Sequence, residues 1–110
     1  MIIWLTGNSG AGKTTTAQTY KRINQNSDCV ILDGDEMRDS ISLGAGFNKE
    51  DREEHNLRVA RLAKVMEKQH DIVLITVIAP FQETRIKIQE LIPEVKWIYI
   101  KRSLLKNKEE

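Results

Sequence analysis

The sequence has a single cysteine, Cys29, so no disulfide can form within the chain, and a lone thiol suits a reducing compartment. It has almost no net charge either, with 17 Lys and Arg against 16 Asp and Glu for a formal net charge of +1. That balance offers no basic footprint to a nucleic-acid backbone or an anionic membrane, so neither is expected as a partner, and a charged ligand would have to be drawn by a local cluster. Long apolar runs are missing: the longest, Ile72 to Pro80, is far too short to cross a bilayer. Met1-Ile2-Ile3-Trp4 lacks the basic, apolar and small-residue regions of a secretory leader, and the expectation is a cytoplasmic protein. No internal repeat, low-complexity segment or linker is visible. No His or Cys pair stands at ligand spacing, which argues against a zinc site.

What remains is an ordinary globular composition over 110 residues, 40% hydrophobic and 30% charged. A single domain of this size buries roughly two-thirds of its unfolded surface. Ile2 to Thr6 reads as a short strand entering the glycine-rich turn Gly7 to Gly12, and from Lys13 the spacing of Ala17, Tyr20 and Ile23 or Asn24 predicts a helix. Asn24 to Asp28 breaks it with turn formers. Cys29 to Leu32 is a second strand, closed by Asp33-Gly34-Asp35, and Ser42 to Asn48 reads as a loop. Asn48 can cap a helix from about Lys49 to Gln69, with Asp51 at the capping-box position. Ile72 to Ala79 is apolar almost without alternation, as a strand covered on both faces would be, and Pro80 would stop it. A helix over Glu83 to Ile92 and a strand over Val95 to Ile100 complete the order. Strands alternating with helices predict an α/β fold with a parallel sheet, right-handed crossovers and helices on both faces.

Gly7-Asn8-Ser9-Gly10-Ala11-Gly12-Lys13-Thr14 matches GxxxxGK(S/T) in full and lies between a predicted strand and a predicted helix. Glycines are needed there because successive backbone N–H groups must converge on phosphate oxygens, in conformations and at distances that side chains would obstruct. The following helix adds its positive end, Lys13 would reach the β- and γ-phosphates, and the Thr14 hydroxyl would ligate Mg²⁺.

Asp33 and Asp35 stand at the carboxyl end of the second strand, the edge at which an open parallel sheet binds ligands. Phosphoryl transfer needs the metal held and the attacking hydroxyl oriented. Asp33 is assigned to the metal and Asp35 to the hydroxyl.

On the long helix, Val59, Leu62, Ala63 and Met66 mark the face that packs on the sheet. Carried towards the N-terminus, the same stripe meets Arg52, His55 and Asn56. Burying such groups costs free energy unless they are paired, so the stripe either emerges into solvent or meets a polar, anionic ligand.

From Trp4 to about Arg102 the chain resembles the adenylylsulfate kinase family of P-loop kinases. The resemblance is carried by Gly7 to Thr15, by Leu32-Asp33-Gly34-Asp35 with Arg38, by Leu43-Gly44 through Gly46-Phe47, by Asp51-Arg52-Glu53-Glu54, and by Ile78 to Phe81 with Arg85. It implies a three-layer P-loop fold that transfers the γ-phosphoryl group of MgATP to the 3′-hydroxyl of adenosine 5′-phosphosulfate, making 3′-phosphoadenosine 5′-phosphosulfate. It places Gly7, Asn8, Ser9, Gly10, Ala11, Gly12, Lys13, Thr14 and Thr15 around the phosphates of ATP. It makes Lys13, Asp33 and Asp35 catalytic, with Thr14 and Asp33 on the metal. On the acceptor side, Arg38 and Arg52 would grip its anionic groups, Phe47 would stack on its adenine, and His55, Asn56, Ile78, Ala79, Pro80 and Phe81 would line its site. A planar guanidinium suits such an anion.

The chain departs from the family pattern at several of these positions. The family's Asn after Asp-Arg-x-Glu falls on His55, with Asn56 beside it, and the first of its following arginine pair falls on Leu57, leaving Arg58. Its Ser before Pro-Phe is Ala79, and its Arg after Phe is Gln82. Family members continue past the fourth strand with a lid, residues for the adenine of ATP and a fifth strand. The expectation is therefore a P-loop kinase domain over residues 1–102 without lid or last strand, then a charged tail over 103–110, the last ten residues from Lys101 being mostly charged. The resemblance also implies a homodimer as one assembly. Two other readings stay open: a P-loop kinase for another small alcohol, such as a sugar acid or a different nucleotide, and a non-catalytic nucleotide-binding module. Arg38, Phe47 and Arg52 discriminate, because an anionic nucleotide needs paired guanidiniums and a stacking ring.

Overall fold

A computed structural model of the chain describes residues 1–7 and 12–100. The elements are β1 (Ile2–Thr6), α1 (Lys13–Ile23), β2 (Cys29–Asp33), α2 (Gly34–Arg38), α3 (Lys49–Glu67), β3 (Ile72–Thr76), α4 (Gln82–Leu91) and β4 (Lys96–Tyr99). The strands form one sheet in the order β2-β3-β1-β4, and every neighbouring pair is parallel. Asn8 to Ala11 of the glycine-rich turn and the tail from residue 101 lie outside the described residues.

This order fixes where the helices go. The path from β1 to β2 runs one way across the sheet, whereas β2 to β3 and β3 to β4 run the other. Right-handed crossovers then put α1 on one face and α3 and α4 on the opposite face. The core divides accordingly: Ile3, Leu5, Ile72 and Leu74 pack with Ala17 of α1, while Ile2, Trp4, Val73 and Ile75 pack with Val59, Ala60 and Ala63 of α3 and Ile88 of α4. Adjacent strand residues thus serve opposite faces, which is why the central strands read as unbroken apolar runs. Fully burying one such aliphatic side chain contributes about 1.5–3 kcal/mol.

Three features differ from the sequence expectation. The third strand ends at Thr76 rather than Ala79, because β1 side chains take up the backbone groups beyond it. Trp4 Nε1 donates to the Val77 carbonyl at 2.9 Å, and the Ala79 N–H donates to Thr6 Oγ1 at 3.2 Å. A short helix, α2, follows β2 where only a turn was expected; Asp33 caps it by accepting from the Asp35 N–H at 3.2 Å. On α3 the buried face comprises Val59, Ala60 and Ala63, with Leu62 and Met66 only half-buried. The Asn48 cap is present as expected, its side chain accepting from the Asp51 N–H at 2.8 Å.

Candidate functional site

β1 and β3 are neighbours whose onward connections leave in opposite directions, so their carboxyl ends open a crevice. A cleft of about 440 Å³ lies there, lined by the start of α1, by Asp33, Gly34, Asp35 and Arg38, by Phe47, by Arg52, His55 and Asn56 of α3, and by Thr76, Val77 and Ile78. Elements distant in sequence thereby bring most of the candidate residues together.

Gly12 has φ +95°, a left-handed conformation that side chains resist, and it caps α1 with no side-chain hydrogen bond. The first turn of α1 has no acidic residue. Gly12, Lys13, Thr14 and Thr15 line the cleft, which puts the positive end of α1 at its edge. Lys13 is only 8% exposed and its Nζ donates to the Gly7 carbonyl at 3.1 Å. Burial lowers its pKa from the usual lysine range, against the opposing pull of Asp33 and Asp35.

Asp33 is held from three sides. Its Oδ1 accepts from Thr14 Oγ1 and from Thr76 Oγ1, both at 3.0 Å, and its Oδ2 takes the Asp35 N–H. Gly34 lets this turn lie against β3, since a Cβ there would come within 3.0 Å of the Thr76 carbonyl oxygen. Thr14 and Asp33 are hard oxygen donors 3.0 Å apart, which matches the separation of about 3 Å between adjacent ligands of an octahedral Mg²⁺. Such an ion characteristically takes one or two protein ligands and fills its shell with phosphate oxygens and water. The pair fits that cation, although no cluster of three or more His, Cys, Asp or Glu suited to a metal occurs among the described residues. Asp35 also lines the cleft.

The opposite wall is built on the loop between α2 and α3. Arg38 Nη1 donates to the Gly46 carbonyl at 3.0 Å, and Arg52 Nε donates to the Phe47 carbonyl at 2.7 Å. Their guanidinium carbons lie 4.2 and 5.8 Å from the centre of the Phe47 ring, which is 66% exposed. Two cations thus brace one aromatic shelf at the mouth of the cleft.

His55 and Asn56 are 3% and 1% exposed. Of the two readings of the α3 stripe, a solvated end is therefore excluded for this pair. His55 Nδ1 lies 2.6 Å from Ser42 Oγ, which also accepts from Arg58 Nη1 at 3.0 Å. Burial, reinforced by the charges of Arg38 and Arg58, lowers the His55 pKa to about 4. The Asn56 carboxamide has no hydrogen-bond partner for either polar atom among the described residues. Leaving a buried donor or acceptor unmatched costs about 1–3 kcal/mol.

Not every sequence candidate joins this cleft. Ile78 lines it, but Ala79 and Pro80 line a neighbouring cavity of about 640 Å³ with Arg85, Trp97 and Tyr99. Arg85 Nη1 donates to the Ala79 carbonyl at 2.6 Å there. Phe81 lines neither cavity, and its ring lies 5.5 Å from Lys49 Nζ. Thr15 is at the cleft, whereas Asn8, Ser9, Gly10 and Ala11 lie outside the described residues. Thr76 and Ser42 were not anticipated. The position of Thr76 at a strand's carboxyl end was a usable signal, while Ser42 had none, since its partners lie 13 and 16 residues away.

The model of the adenylylsulphate kinase family matches residues 1–109. An adenylyl-sulfate kinase of Bacillus velezensis is 38% identical over 104 residues, covering 91% of this chain and 53% of that protein. One from Chloroflexus aurantiacus is 35% identical over 106 residues, covering 94% of this chain and 57% of that protein. The chain thus spans about half the length of these curated relatives. Among solved structures, an APS kinase of Mycobacterium tuberculosis in complex with AMPPNP and APS superposes with a TM-score of 0.84 at 23% identity, covering 98% of this chain and 66% of the other, which shows a shared fold. With the family model matching residues 1–109, nearly the whole chain, the chain belongs to the adenylylsulfate kinase family.

Proposed function

We propose that the chain carries the nucleotide and acceptor sites for ATP-dependent phosphoryl transfer to the 3′-hydroxyl of adenosine 5′-phosphosulfate, within a P-loop kinase domain over residues 1–102. The observation that carries this reading is the meeting, in one cleft, of Lys13, Thr14 and the two aspartates with the Arg38–Phe47–Arg52 wall. Phosphoryl transfer rests on positioning and on neutralising charge, and the two sides of the cleft divide those tasks.

On the donor side, the amides at the start of α1 and the Lys13 ammonium take the β- and γ-phosphates of ATP. Thr14 and Asp33 would hold Mg²⁺, which when bound neutralises charge on the phosphate oxygens. Thr76 keeps the Asp33 carboxylate turned towards Thr14. On the acceptor side, Phe47 stacks on the adenine while Arg38 and Arg52 face the phosphosulfate. The acceptor's 3′-oxygen bonds to the γ-phosphorus, and the bond from that phosphorus to the β,γ-bridging oxygen breaks. That oxygen leaves with ADP, and the hydroxyl proton passes to the Asp35 carboxylate. His55, neutral at physiological pH, stays out of the proton transfer and fixes the loop through Ser42.

The test is ADP release from MgATP in the presence of adenosine 5′-phosphosulfate, a sugar acid or a nucleoside monophosphate. Release that depends on adenosine 5′-phosphosulfate supports the proposal. Release with the sugar acid instead would reassign the acceptor, and nucleotide binding without acceptor-dependent release would mark a non-catalytic module.

A further inference from the structure

On the face of the sheet that α1 covers, two neighbouring strands run as apolar series, Cys29 and Ile31 on β2 and Ile72 and Leu74 on β3. Two residues further along, both series turn polar at the same register level, where Asp33 stands beside Thr76. Thr76 is buried, at 4% exposed, in a place where valine would have the same branched shape and carry no polar atom inside. Its hydroxyl goes to Asp33, donating to Oδ1 at 3.0 Å. Asp33 is not short of donors without it, since Oδ2 takes the Asp35 N–H and Oδ1 takes the Thr14 hydroxyl at 3.0 Å. What the Thr76 bond adds is direction. The Asp35 N–H anchors one carboxylate oxygen and Thr76 the other, from opposite sides of the group, and two anchors fix its plane.

We propose that Thr76 is a positioning residue of the donor site, acting through Asp33 to aim the oxygen of Thr14. The inference rests on the reading of Thr14 and Asp33 as the pair that would hold Mg²⁺, and it deepens that reading. A threonine hydroxyl has one proton and two lone pairs. Thr14 is exposed at the cleft, and giving its proton to Asp33 leaves its lone pairs for an incoming cation. Without the Thr76 hydroxyl, the Asp33 carboxylate keeps only its Oδ2 anchor and can turn about it. The Thr14 proton then has no fixed acceptor, and its oxygen no fixed aim. Thr76 thus acts as the partner of a ligand rather than as a ligand, a position from which side chains tune cation affinity by about 10–100-fold.

The experiment titrates a non-hydrolysable ATP analogue calorimetrically into the wild-type protein, Thr76→Val, Thr76→Ala and Thr76→Ser, once with Mg²⁺ and once with EDTA in its place. The quantity read is the ratio of the two affinities. In the wild type Mg²⁺ is expected to tighten binding of the analogue. Thr76→Val should lose about tenfold or more of that gain while its affinity in EDTA stays within about twofold of the wild type. Thr76→Ala should do the same, and it carries the test should the valine variant not fold. Thr76→Ser keeps the hydroxyl and should recover the gain to within about threefold. A role in packing alone would weaken binding equally in Mg²⁺ and in EDTA, or would leave Thr76→Ser as poor as Thr76→Val, and either result would overturn the proposal. So would an undiminished Mg²⁺ gain in the variants without the hydroxyl. A wild type that binds the analogue equally well with and without Mg²⁺ would instead overturn the reading of Thr14 and Asp33, and this inference with it.

Discussion

The Ser42 hydroxyl lies 2.6 Å from Nδ1 of His55, both residues buried, and the pair ties the loop after α2 to the wall of α3. A neutral imidazole suits this place, because Arg38 and Arg58 already supply positive charge beside it.

A pH dependence follows. His55 titrates near 4 when folded and near 6.5 when unfolded. Above about pH 6.5 it is neutral in both states and contributes no pH dependence. As pH falls from there towards 4 the unfolded chain takes up the proton first, so stability drops with falling pH. Tm should therefore decline more steeply across this window in the wild type than in His55→Asn. Parallel declines, measured by thermal melts in matched buffers, would remove His55 from the account.

Lys13→Ala should abolish the proposed phosphoryl transfer, a loss of at least about a hundredfold, by removing the cation beside the β- and γ-phosphates. A coupled ADP-release assay measures it. Turnover at the wild-type rate would reject the phosphate-binding role of this turn.

For Arg52→Ala the expectation is a KM for the acceptor raised about tenfold or more with the KM for ATP nearly unchanged. Its guanidinium braces Phe47 through the 2.7 Å bond to the Phe47 carbonyl, on the cleft wall proposed to take the acceptor. Initial rates with each substrate varied in turn would show the split, and a matched rise in both constants would take Arg52 off that wall.

Trp4→Phe should destabilise the fold by about 2 kcal/mol, from the small void left in the core and from the unmatched Val77 carbonyl. Urea unfolding monitored by far-ultraviolet circular dichroism would measure this. A change below about 0.5 kcal/mol would show that the segment after β3 does not depend on the indole.

The alternation of apolar strands and amphipathic helices made the parallel α/β fold readable in the sequence, and local spacing made the Asn48 cap readable. The end of β3 was not readable, because Val77 and Ala79 continue the apolar run while their backbone groups go to Trp4 and Thr6, each 73 residues away. Nor was α2, whose five residues follow an Asp-Gly pair that favours turns as readily as a capped helix. On α3 the polar stripe was visible, but its burial depends on Ser42 and the cleft, which local spacing does not encode. The resemblance grouped Ile78 to Phe81 as one acceptor segment, whereas the folded chain divides them among different surroundings.

Beyond their stacking on the Phe47 ring, Arg38 and Arg52 hold the loop by its main-chain oxygens, at Ala45, Gly46 and Phe47. A grip of that kind does not register which residues it holds. Substitutions at the other loop positions can therefore accumulate without loosening it, provided the Phe47 ring is kept together with Gly44, whose φ is +85°, and Gly46, where a Cβ would run into the Asp51 carboxylate, and each guanidinium retains further N–H groups for an incoming anion. The segment is thus open to evolutionary retuning of its outer rim while the geometry beneath is inherited intact.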